Sequence, residues 1–248
     1  MATVILVRHG RSTANTAGIL AGHTSDVHLD GLGRQQVAAT ADRLATVPLT
    51  AVVSSPLERC VETAEEIVGK QKELKDVLSD ASLTECHYGL WQGKHLGELA
   101  KESLWKIVVN EPSRARFPGG ESLPEMQQRI VRAIRGRDAQ IEAEHGPGAV
   151  WVAVSHGDPI KSVIADAYGM DFDNFQRVHV DPASVSIIHY GSSDPDEDGH
   201  RIHGAKPRVI AVNTTGGDLD WMAPKSTTAE ESAPARASDP QVGGGAGH

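Results

Sequence analysis

The chain has little cysteine and no excess of basic residues, and each shortage excludes a class of protein. Only two cysteines occur in 248 residues, so a disulfide framework is not expected and a reducing cytoplasm fits the composition. The formal net charge of −9 argues against a nucleic acid or an anionic membrane as partner, because both favour a basic surface. A local basic pocket remains compatible with this overall acidity.

Long hydrophobic runs are also lacking. The apolar stretch near the start covers only Val4 to Val7, with no basic segment before it and no cleavage signal. We therefore expect neither a signal peptide nor a membrane span. With 39% hydrophobic and 23% charged residues, the composition is that of an ordinary soluble globular protein.

Several motifs of phosphate and metal chemistry are missing from the sequence. Neither cysteine has an arginine six residues later, since Glu66 and Gln92 stand there, which excludes the cysteine-phosphatase loop. The chain also lacks the Asp-x-Asp-x-Thr/Val pattern of aspartyl-phosphate enzymes, the Gly-rich loop ending in Gly-Lys-Ser/Thr, and His-Glu-x-x-His. The remaining histidines show no spacing typical of metal ligands, so we expect no metal and no cofactor.

Two apolar segments, in contrast, each run into a histidine followed by a glycine. Val4 to Val7 leads into Arg8-His9-Gly10, and Val150 to Val154 leads into Ser155-His156-Gly157. Short runs of β-branched residues are typical of buried parallel strands, and ligand sites lie outside the carboxyl ends of such strands. If the two strands are neighbours, both histidines meet at one crevice. Two imidazoles beside an arginine indicate chemistry on an anion.

Strand and helix patterns alternate along the chain, which predicts an α/β fold. Predicted strands cover residues 3–7, 50–54, 82–85, 150–154, 184–190 and 208–212, and a polar loop covers residues 15–28. Helix starts are predicted at Asp30, at Ser55-Pro56, at Ser122 with Glu125, and at Asp158-Pro159. Residues 95–109 are also predicted to be helical, and Gly146-Pro147-Gly148 ends the long helix that follows Ser122.

The end of the chain differs from the rest in composition. Residues 192–206 form a polar hairpin tip, and residues 223–248 consist largely of Ala, Ser, Thr, Pro and Gly with no apolar period. We expect residues 223–248 to be a disordered tail and residues 1–222 to form one domain.

Four segments, in the right order, resemble the signatures of the histidine phosphatase superfamily, also called the phosphoglycerate mutase-like family. They are Arg8-His9-Gly10, Ser54-Ser55-Pro56-Leu57-Glu58-Arg59, the segment from Leu83 through Glu85 to Gly93, and Ser155-His156-Gly157. The resemblance covers roughly residues 3–215. It implies a three-layer α/β/α sandwich with a central, mostly parallel sheet, and an activity of the phosphatase type.

The resemblance also assigns the groups that hold and attack phosphorus. It implies that His9 forms a phosphohistidine, which suits a side chain that titrates near neutrality. Arg8 and Arg59 have planar guanidinium groups suited to phosphate oxygens, and His156 completes the set as a donor. The alternatives are a hydrogen-bonded core histidine at position 9 and an exposed arginine at position 59, paired with a nearby glutamate (Glu62 or Glu66).

By the same resemblance, Glu85 protonates the leaving alkoxide and then activates water, since one carboxylic acid can perform both steps. The alternative is a glutamate at a strand edge, paired with a surface cation. Asp158 is interpreted as a helix N-cap, because a carboxylate touching phosphate would repel it, and a substrate contact stays open. His87, two residues beyond Glu85, is a candidate for the lining of the pocket.

The loop after His9 supplies further candidates and some departures from the family pattern. Asn15 has an amide that can donate to phosphate, and Gly22 and Gly157 belong to the expected substrate-binding set. Arg11 replaces the acidic residue common after Arg-His-Gly, and it either compensates for missing phosphate contacts or faces solvent. Ala21 stands where many members have Thr or Gln, and Gln92, where Glu is usual, is a mild change.

Two reactions share this machinery. A phosphatase passes the phosphoryl group from His9 to water, whereas a cofactor-dependent mutase returns it to a second substrate oxygen. Mutases of this family usually carry a longer, arginine-rich insertion here. In this chain the corresponding segment, residues 93–117, is short, and its only arginines are Arg114 and Arg116. This favours the phosphatase over the mutase; a weakly catalytic phosphate-binding protein is the third alternative. The sequence thus predicts a metal-independent cytoplasmic phosphatase for a small phosphorylated metabolite, with the exact substrate and a homodimer left open.

Overall fold

The computed structural model describes residues 2–190 and 206–216, which are built around a six-stranded sheet. The strands are β1 (Thr3–Arg8), β2 (Leu49–Ser54), β3 (Leu78–Ser79), β4 (Val150–Ser155), β5 (Val185–His189) and β6 (Arg208–Thr214). Their order across the sheet is β3-β2-β4-β1-β5-β6, with the first four parallel and the last two antiparallel. The two predicted histidine strands, β1 and β4, are direct neighbours, and Arg8 pairs in register with Ser155.

Helices cover both faces of this sheet. They are α1 (Thr13–Ala17), α2 (Gly31–Leu44), α3 (Glu58–Gly69), α4 (Leu96–Leu99), α5 (Ser103–Asn110), α6 (Leu123–His145) and α7 (Gly157–Tyr168). The alternation along β1 divides the core: Ile5 and Val7 pack towards α2 and α3, whereas Val4 and Leu6 pack towards α6 and α7. The predicted three-layer α/β/α sandwich with a mostly parallel sheet is confirmed.

Two of the predicted helix starts are confirmed by their caps. The Asp30 side chain accepts from the Gly33 N–H at 2.7 Å and begins α2. Ser122 and Glu125 form a reciprocal capping box at the start of α6, and α6 ends at Gly146 as predicted. Both starts depend on contacts within four residues, which explains why the sequence reveals them.

The other two predicted starts are wrong. Ser55 is not the N-cap of α3, which begins at Glu58, because the Ser55 hydroxyl lies 2.8 Å from Nε2 of His156. Asp158 is not the N-cap of α7, because the helix begins at Gly157 with His156 as N-cap. In both cases a polar side chain that the sequence predicts to be an N-cap instead contacts a residue far away in the chain.

Residues 82–85 do not form the predicted strand. Ala81–Leu83 is a 3₁₀ helix, and the short strand lies earlier, at β3. The Arg129 guanidinium donates to the carbonyls of Ser82 and Thr84 at 2.8 and 3.1 Å. These carbonyls are therefore hydrogen-bonded to a side chain and not to the backbone of a neighbouring strand.

Two further expectations need correction. Residues 15–28 are not loop throughout, because Ser12 and Asn15 form a capping box that starts α1. Residues 95–109 form two short helices, α4 and α5, since Glu102 at the N-cap of α5 accepts from the Trp91 indole at 2.9 Å and the chain turns there.

Some expectations fall on parts of the chain that are not described. Of the predicted hairpin tip, residues 192–206, only residue 206 is among the described residues. The predicted tail, residues 223–248, lies entirely outside them. Within residues 2–190 and 206–216, no helix is both long and apolar enough to cross a membrane.

Candidate active site

His9 lies directly after β1, near the centre of the sheet. Its backbone N–H donates to the Ser155 carbonyl of β4 at 3.0 Å, which ties the two strand ends together. Gly10 is required next, because a Cβ at this position would lie 2.6 Å from the Gly33 carbonyl oxygen of α2. With the chain held between β4 and α2, His9 is only 4% exposed.

The hydrogen bonding of the His9 ring determines its tautomer. Nδ1 lies 2.7 Å from the Gly10 carbonyl oxygen, which can only accept, so Nδ1 carries the proton and Nε2 the lone pair. Burial, followed by the charges of Arg59 and Arg8, lowers the pKa of His9 well below its usual value. The ring is therefore neutral at neutral pH, and its Nε2 is chemically able to attack phosphorus.

Arg8 and Arg59 bring two guanidinium groups to the same place. Arg8 is fully buried and donates from Nη1 to the Val180 carbonyl at 2.9 Å; burial lowers its pKa to about 10, which still leaves it charged. Arg59 lies in the first turn of α3 and donates from Nη2 to the Gly22 carbonyl at 2.8 Å. Its buried Nη1 has no hydrogen-bond partner in the part of the chain that the structure describes. That N–H group is available to an anion.

The alternative placement of Arg59 on the surface is wrong. Arg59 is buried, and Glu62 pairs instead with His28 and Arg34. The catalytic role of His9 stays a prediction, and so does the alternative of a purely structural histidine at position 9.

His156 lies against His9 at the end of β4. The centroids of the two rings are 5.2 Å apart, with an interplanar angle of 63°. Nε2 of His156 is 2.8 Å from the Ser55 hydroxyl and 3.4 Å from the Cys60 thiol. Burial, followed by the charge of Arg59, lowers the pKa of His156 well below its usual value. We call Arg8, Arg59 and His156 the anion site.

Glu85 is the buried carboxyl group of the cluster. It is 3% exposed, which makes the alternative of a surface glutamate paired with a cation wrong. Oε1 accepts from the Cys86 N–H at 2.9 Å. Burial, followed by the negative charge of Asp158, raises the pKa of Glu85 to about 7, against the opposing effect of Arg59 and Arg8. A carboxyl group with this pKa can give a proton and take it back near neutral pH.

The loop around Gly22 connects Arg59 to Glu85. Gly22 has φ +53°, and a Cβ here would lie 2.6 Å from Oε1 of Gln92, so glycine is required. The same Gln92 oxygen accepts from the His23 N–H at 2.9 Å, and Nε2 of His23 donates to the Glu85 carbonyl at 2.6 Å. Gln92 thus supports the loop that holds both groups, which is a larger role than the sequence suggests.

The remaining candidates are placed at the edge of this cluster. The Asn15 amide oxygen accepts from the Ser12 N–H at 3.0 Å in the capping box. Arg11 is half-buried and forms an ion pair with Asp30, 2.7 Å from Nε to Oδ2, so its guanidinium already has a carboxylate partner. Gly157 is the first residue of α7, and His87 stacks edge-on against His23 with centroids 5.1 Å apart. Whether these residues contact substrate stays a prediction.

Several supporting residues were missed by the sequence reasoning. Arg129 on α6 donates to the Glu85 carbonyl at 3.2 Å and to Oε1 of Glu121 at 2.6 Å, and that oxygen also accepts from the His87 N–H at 2.9 Å. Ser55 and Cys60, which contact His156, were also missed. Ser55 did carry a signal, since it stands in a matched segment, but its partner lies 101 residues away.

Together these groups form a buried cluster whose charges and donors are chemically suited to an anion. Two guanidiniums and the first N–H groups of α7 supply positive charge, and a neutral imidazole and a protonated carboxyl group stand beside them. Within the described ranges, no group of three or more His, Cys, Asp or Glu side chains has the arrangement of a metal site.

Comparisons with known proteins show the family and the fold of the chain. The model of the histidine phosphatase superfamily (branch 1) matches residues 4–202. Phosphoserine phosphatase 1 of Hydrogenobacter thermophilus is 32% identical over 191 residues, which make up 76% of this chain and 87% of that protein. The probable phosphoglycerate mutase GpmB of Citrobacter koseri is 31% identical over 195 residues, 78% of this chain and 87% of that protein. In solved structures, phosphoserine phosphatase of Entamoeba histolytica in complex with 3-phosphoglyceric acid shares the fold, with a TM-score of 0.70 and 23% identity over 86% of this chain and 98% of that one.

Proposed function

Because the chain belongs to the histidine phosphatase superfamily, we propose that it hydrolyses phosphomonoesters of small metabolites through a phosphohistidine on His9. The observation that carries this proposal is the state of the His9 ring. Its Nδ1 donates to the Gly10 carbonyl at 2.7 Å, which leaves the lone pair on Nε2, and two buried guanidiniums stand close by.

The anion site binds the phosphoryl group in this proposal. Arg59 contributes Nη1, Arg8 its buried guanidinium, and His156 a ring N–H, while α7 adds the partial positive charge of its N-terminus. Phosphoryl transfer spreads negative charge over the equatorial oxygens, so these fixed donors stabilise the transition state. This amount of positive charge makes a metal unnecessary, and we expect a chelator to leave the rate unchanged.

The first chemical step forms the covalent intermediate. Nε2 of His9 forms a bond to phosphorus as the bond from phosphorus to the ester oxygen breaks, and Glu85 gives its proton to the departing alkoxide. In the second step, Glu85 takes a proton from water as the water oxygen attacks phosphorus and the bond to His9 breaks. Inorganic phosphate leaves, and Glu85 is protonated again.

The surroundings of Arg114 and Arg116 favour a phosphatase over a mutase. Arg114 pairs with Glu111 and Arg116 pairs with Glu125, and all four side chains are about half exposed or more at the surface. Both arginines thus already have a carboxylate partner of this chain. A mutase remains the second candidate because phosphoglycerate mutases are among the relatives.

The decisive experiment combines trapping with a leaving-group comparison. Brief mixing with a phosphomonoester labelled with ³²P should give an acid-labile phosphoprotein, with the label in the peptide that contains His9. Glu85→Gln should reduce turnover of an alkyl phosphate by about 10²- to 10⁴-fold, and turnover of an aryl phosphate far less, because an aryl oxide leaves without a proton. Equal losses on both substrates, or an acid-stable label, would contradict the proposal. Transfer of label from the intermediate to a phosphoglycerate instead of water would indicate the mutase.

A further inference from the structure

A buried charged cluster, which the steps above do not use, includes a residue of the segment that follows Glu85. It consists of Asp158, Lys161 and Tyr88, and we call it the Asp158 cluster. Oδ2 of Asp158 accepts from the Tyr88 hydroxyl at 2.7 Å, and Oδ1 lies 3.0 Å from Nζ of Lys161. Asp158 and Tyr88 are 0% exposed, and Lys161 is 3% exposed.

Further contacts of Lys161 hold the cluster in place. Nζ of Lys161 donates to Oε1 of Gln176 at 2.5 Å and lies 4.8 Å from the centroid of the Phe175 ring. A buried ion pair is costly to desolvate, and an apolar set of similar volume is often at least as stable. The stability of the fold therefore gives no sufficient reason for a charge at position 158.

The cluster is connected at both ends to catalytic segments. Asp158 follows His156 by two residues on the chain, in the first turn of α7. Tyr88 follows Glu85 by three residues, on the segment that Arg129 holds. A carboxylate fixed in this way keeps one position relative to Glu85.

The charges that face Glu85 have opposite signs. Arg8 on β1 and Arg59 on α3 favour its ionised form, as does the hydrogen bond from the Cys86 N–H, and Asp158 on α7 favours its neutral form. The Tyr88 hydroxyl and the thiols of Cys60 and Cys86 also lie within electrostatic range, but their pKa values are raised, chiefly by burial, so they stay neutral. Burial is the largest effect that raises the pKa of Glu85, and the charge of Asp158 adds to it against the two guanidiniums.

We propose that Asp158 is a positioning residue for the proton donor, whose fixed negative charge keeps Glu85 protonated until the leaving group departs. The inference rests on the proposed function, in which Glu85 is that donor. After Glu85 has lost its proton, the same charge makes its carboxylate a stronger base towards the attacking water.

The test is the pH dependence of kcat/KM for an alkyl phosphomonoester in Asp158→Asn. The amide keeps the shape and an oxygen for the Tyr88 hydroxyl but removes the charge. Glu85 then loses its proton at lower pH, so the decline of kcat/KM on the alkaline side moves down by about one pH unit. At pH 7.5 the alkyl substrate loses rate about tenfold, and an aryl substrate loses far less.

The matched control is Asp166→Asn, on the same helix. Asp166 forms a partly exposed ion pair with Arg135, 2.6 Å between Oδ2 and Nη2, and should leave the activity and its pH profile unchanged. If Asp158→Asn does not fold, the double variant with Lys161→Gln removes both charges of the buried pair and should show a smaller shift in the same direction, because the positive charge of Lys161 is lost as well.

The outcomes separate this inference from the function on which it rests. An alkaline decline that is absent in wild type, or that persists in Glu85→Gln, overturns the role of Glu85 and this inference with it. A wild-type decline that depends on Glu85 but stays at the same pH in the folded Asp158 variant overturns this inference alone. In that case the cluster only joins α7 to the Glu85 segment.

Discussion

The two strand ends that carry His9 and His156 have the same sequence pattern and different surroundings. β1 and β4 are parallel neighbours in register, and each ends in a histidine followed by glycine. After His9 the chain turns into a loop, and the Gly10 N–H donates to the Thr63 hydroxyl at 3.2 Å. After His156 the chain enters α7 at once, with His156 itself as N-cap.

The difference extends to the ring nitrogens. His9 is held through Nδ1 by its own neighbour, Gly10, which leaves the lone pair of Nε2 for chemistry. His156 is contacted at Nε2 by Ser55 and Cys60, residues from the segment after β2 and from α3. A strand–histidine–glycine motif therefore brings an imidazole to the site. The role that this imidazole can have depends on which of its ring nitrogens is hydrogen-bonded to neighbouring residues.

The sharpest test of this difference is His9→Gln. The variant loses the nucleophile, so turnover should fall by about 10⁴-fold or more, and no phosphoprotein should form. The thermal unfolding midpoint serves as the control and should change little, because within the described residues the ring is hydrogen-bonded only to the carbonyl of its neighbour Gly10. Substantial turnover in a folded variant would remove His9 from the covalent step.

His156→Gln should have a smaller and different effect. The loss of one donor of the anion site lowers turnover by about 10²- to 10³-fold, but His9 is still present and becomes labelled, only more slowly. The rate of labelling in single-turnover mixing measures this directly. If the two variants proved equally unable to form the phosphoprotein, the distinction between the two strand ends would not hold.

The pH profile gives a third test, because both imidazoles have pKa values well below the usual range and Glu85 has one of about 7. In the proposed mechanism Glu85 acts in its protonated form, so kcat/KM for an alkyl phosphate should fall up to about tenfold per pH unit above pH 7. The second ionisation of the substrate, near pH 6, affects wild type and Glu85→Gln alike, so the ratio of the two profiles isolates Glu85. A ratio that stays constant, or that changes only below pH 6, would contradict a raised pKa of Glu85.

The smallest expected effect concerns the contact that distinguishes His156. Ser55→Ala removes the hydroxyl 2.8 Å from Nε2, which should lower kcat about three- to tenfold and weaken inhibition by inorganic phosphate similarly. Ser113→Ala, at an exposed serine of the 3₁₀ helix Pro112–Arg114, is the matched control and should behave as wild type. A Ser55 variant with unchanged kcat would show that His156 is oriented by its backbone alone.

The sequence predicted the parts of the site that depend on local order along the chain. β1, β4, the start of α2 and the capping box of α6 each have a signature within a few residues. Placing strand ends side by side then brings His9 and His156 together. This inference needed only the rule that parallel strands end at one edge of the sheet.

The sequence did not predict the contacts that orient those residues, because each partner is distant in the chain. Asp158 followed by proline has the pattern of an N-cap, yet its carboxylate is bound by Tyr88, 70 residues away. The segment that ends at Glu85 has the pattern of a strand. Its carbonyls at Thr84 and Ser82 instead accept hydrogen bonds from Arg129, which is 45 and 47 residues away. Local propensity gives way in both places to a buried polar partner.

Both cysteines of the described chain stand beside reacting groups, and this has a consequence for oxidative conditions. Cys60 contacts His156 and Cys86 follows Glu85, and burial raises the pKa of the first to about 12 and of the second well above its usual value. Peroxide attacks the thiolate and not the thiol, so these buried sulfurs should resist oxidation at neutral pH. Phosphatases that use a cysteine nucleophile must expose a thiolate and thereby accept inactivation by hydrogen peroxide. In the proposed mechanism the nucleophile is a histidine, and the thiols next to His156 and Glu85 stay protonated, so the enzyme should keep its activity under conditions that silence such phosphatases.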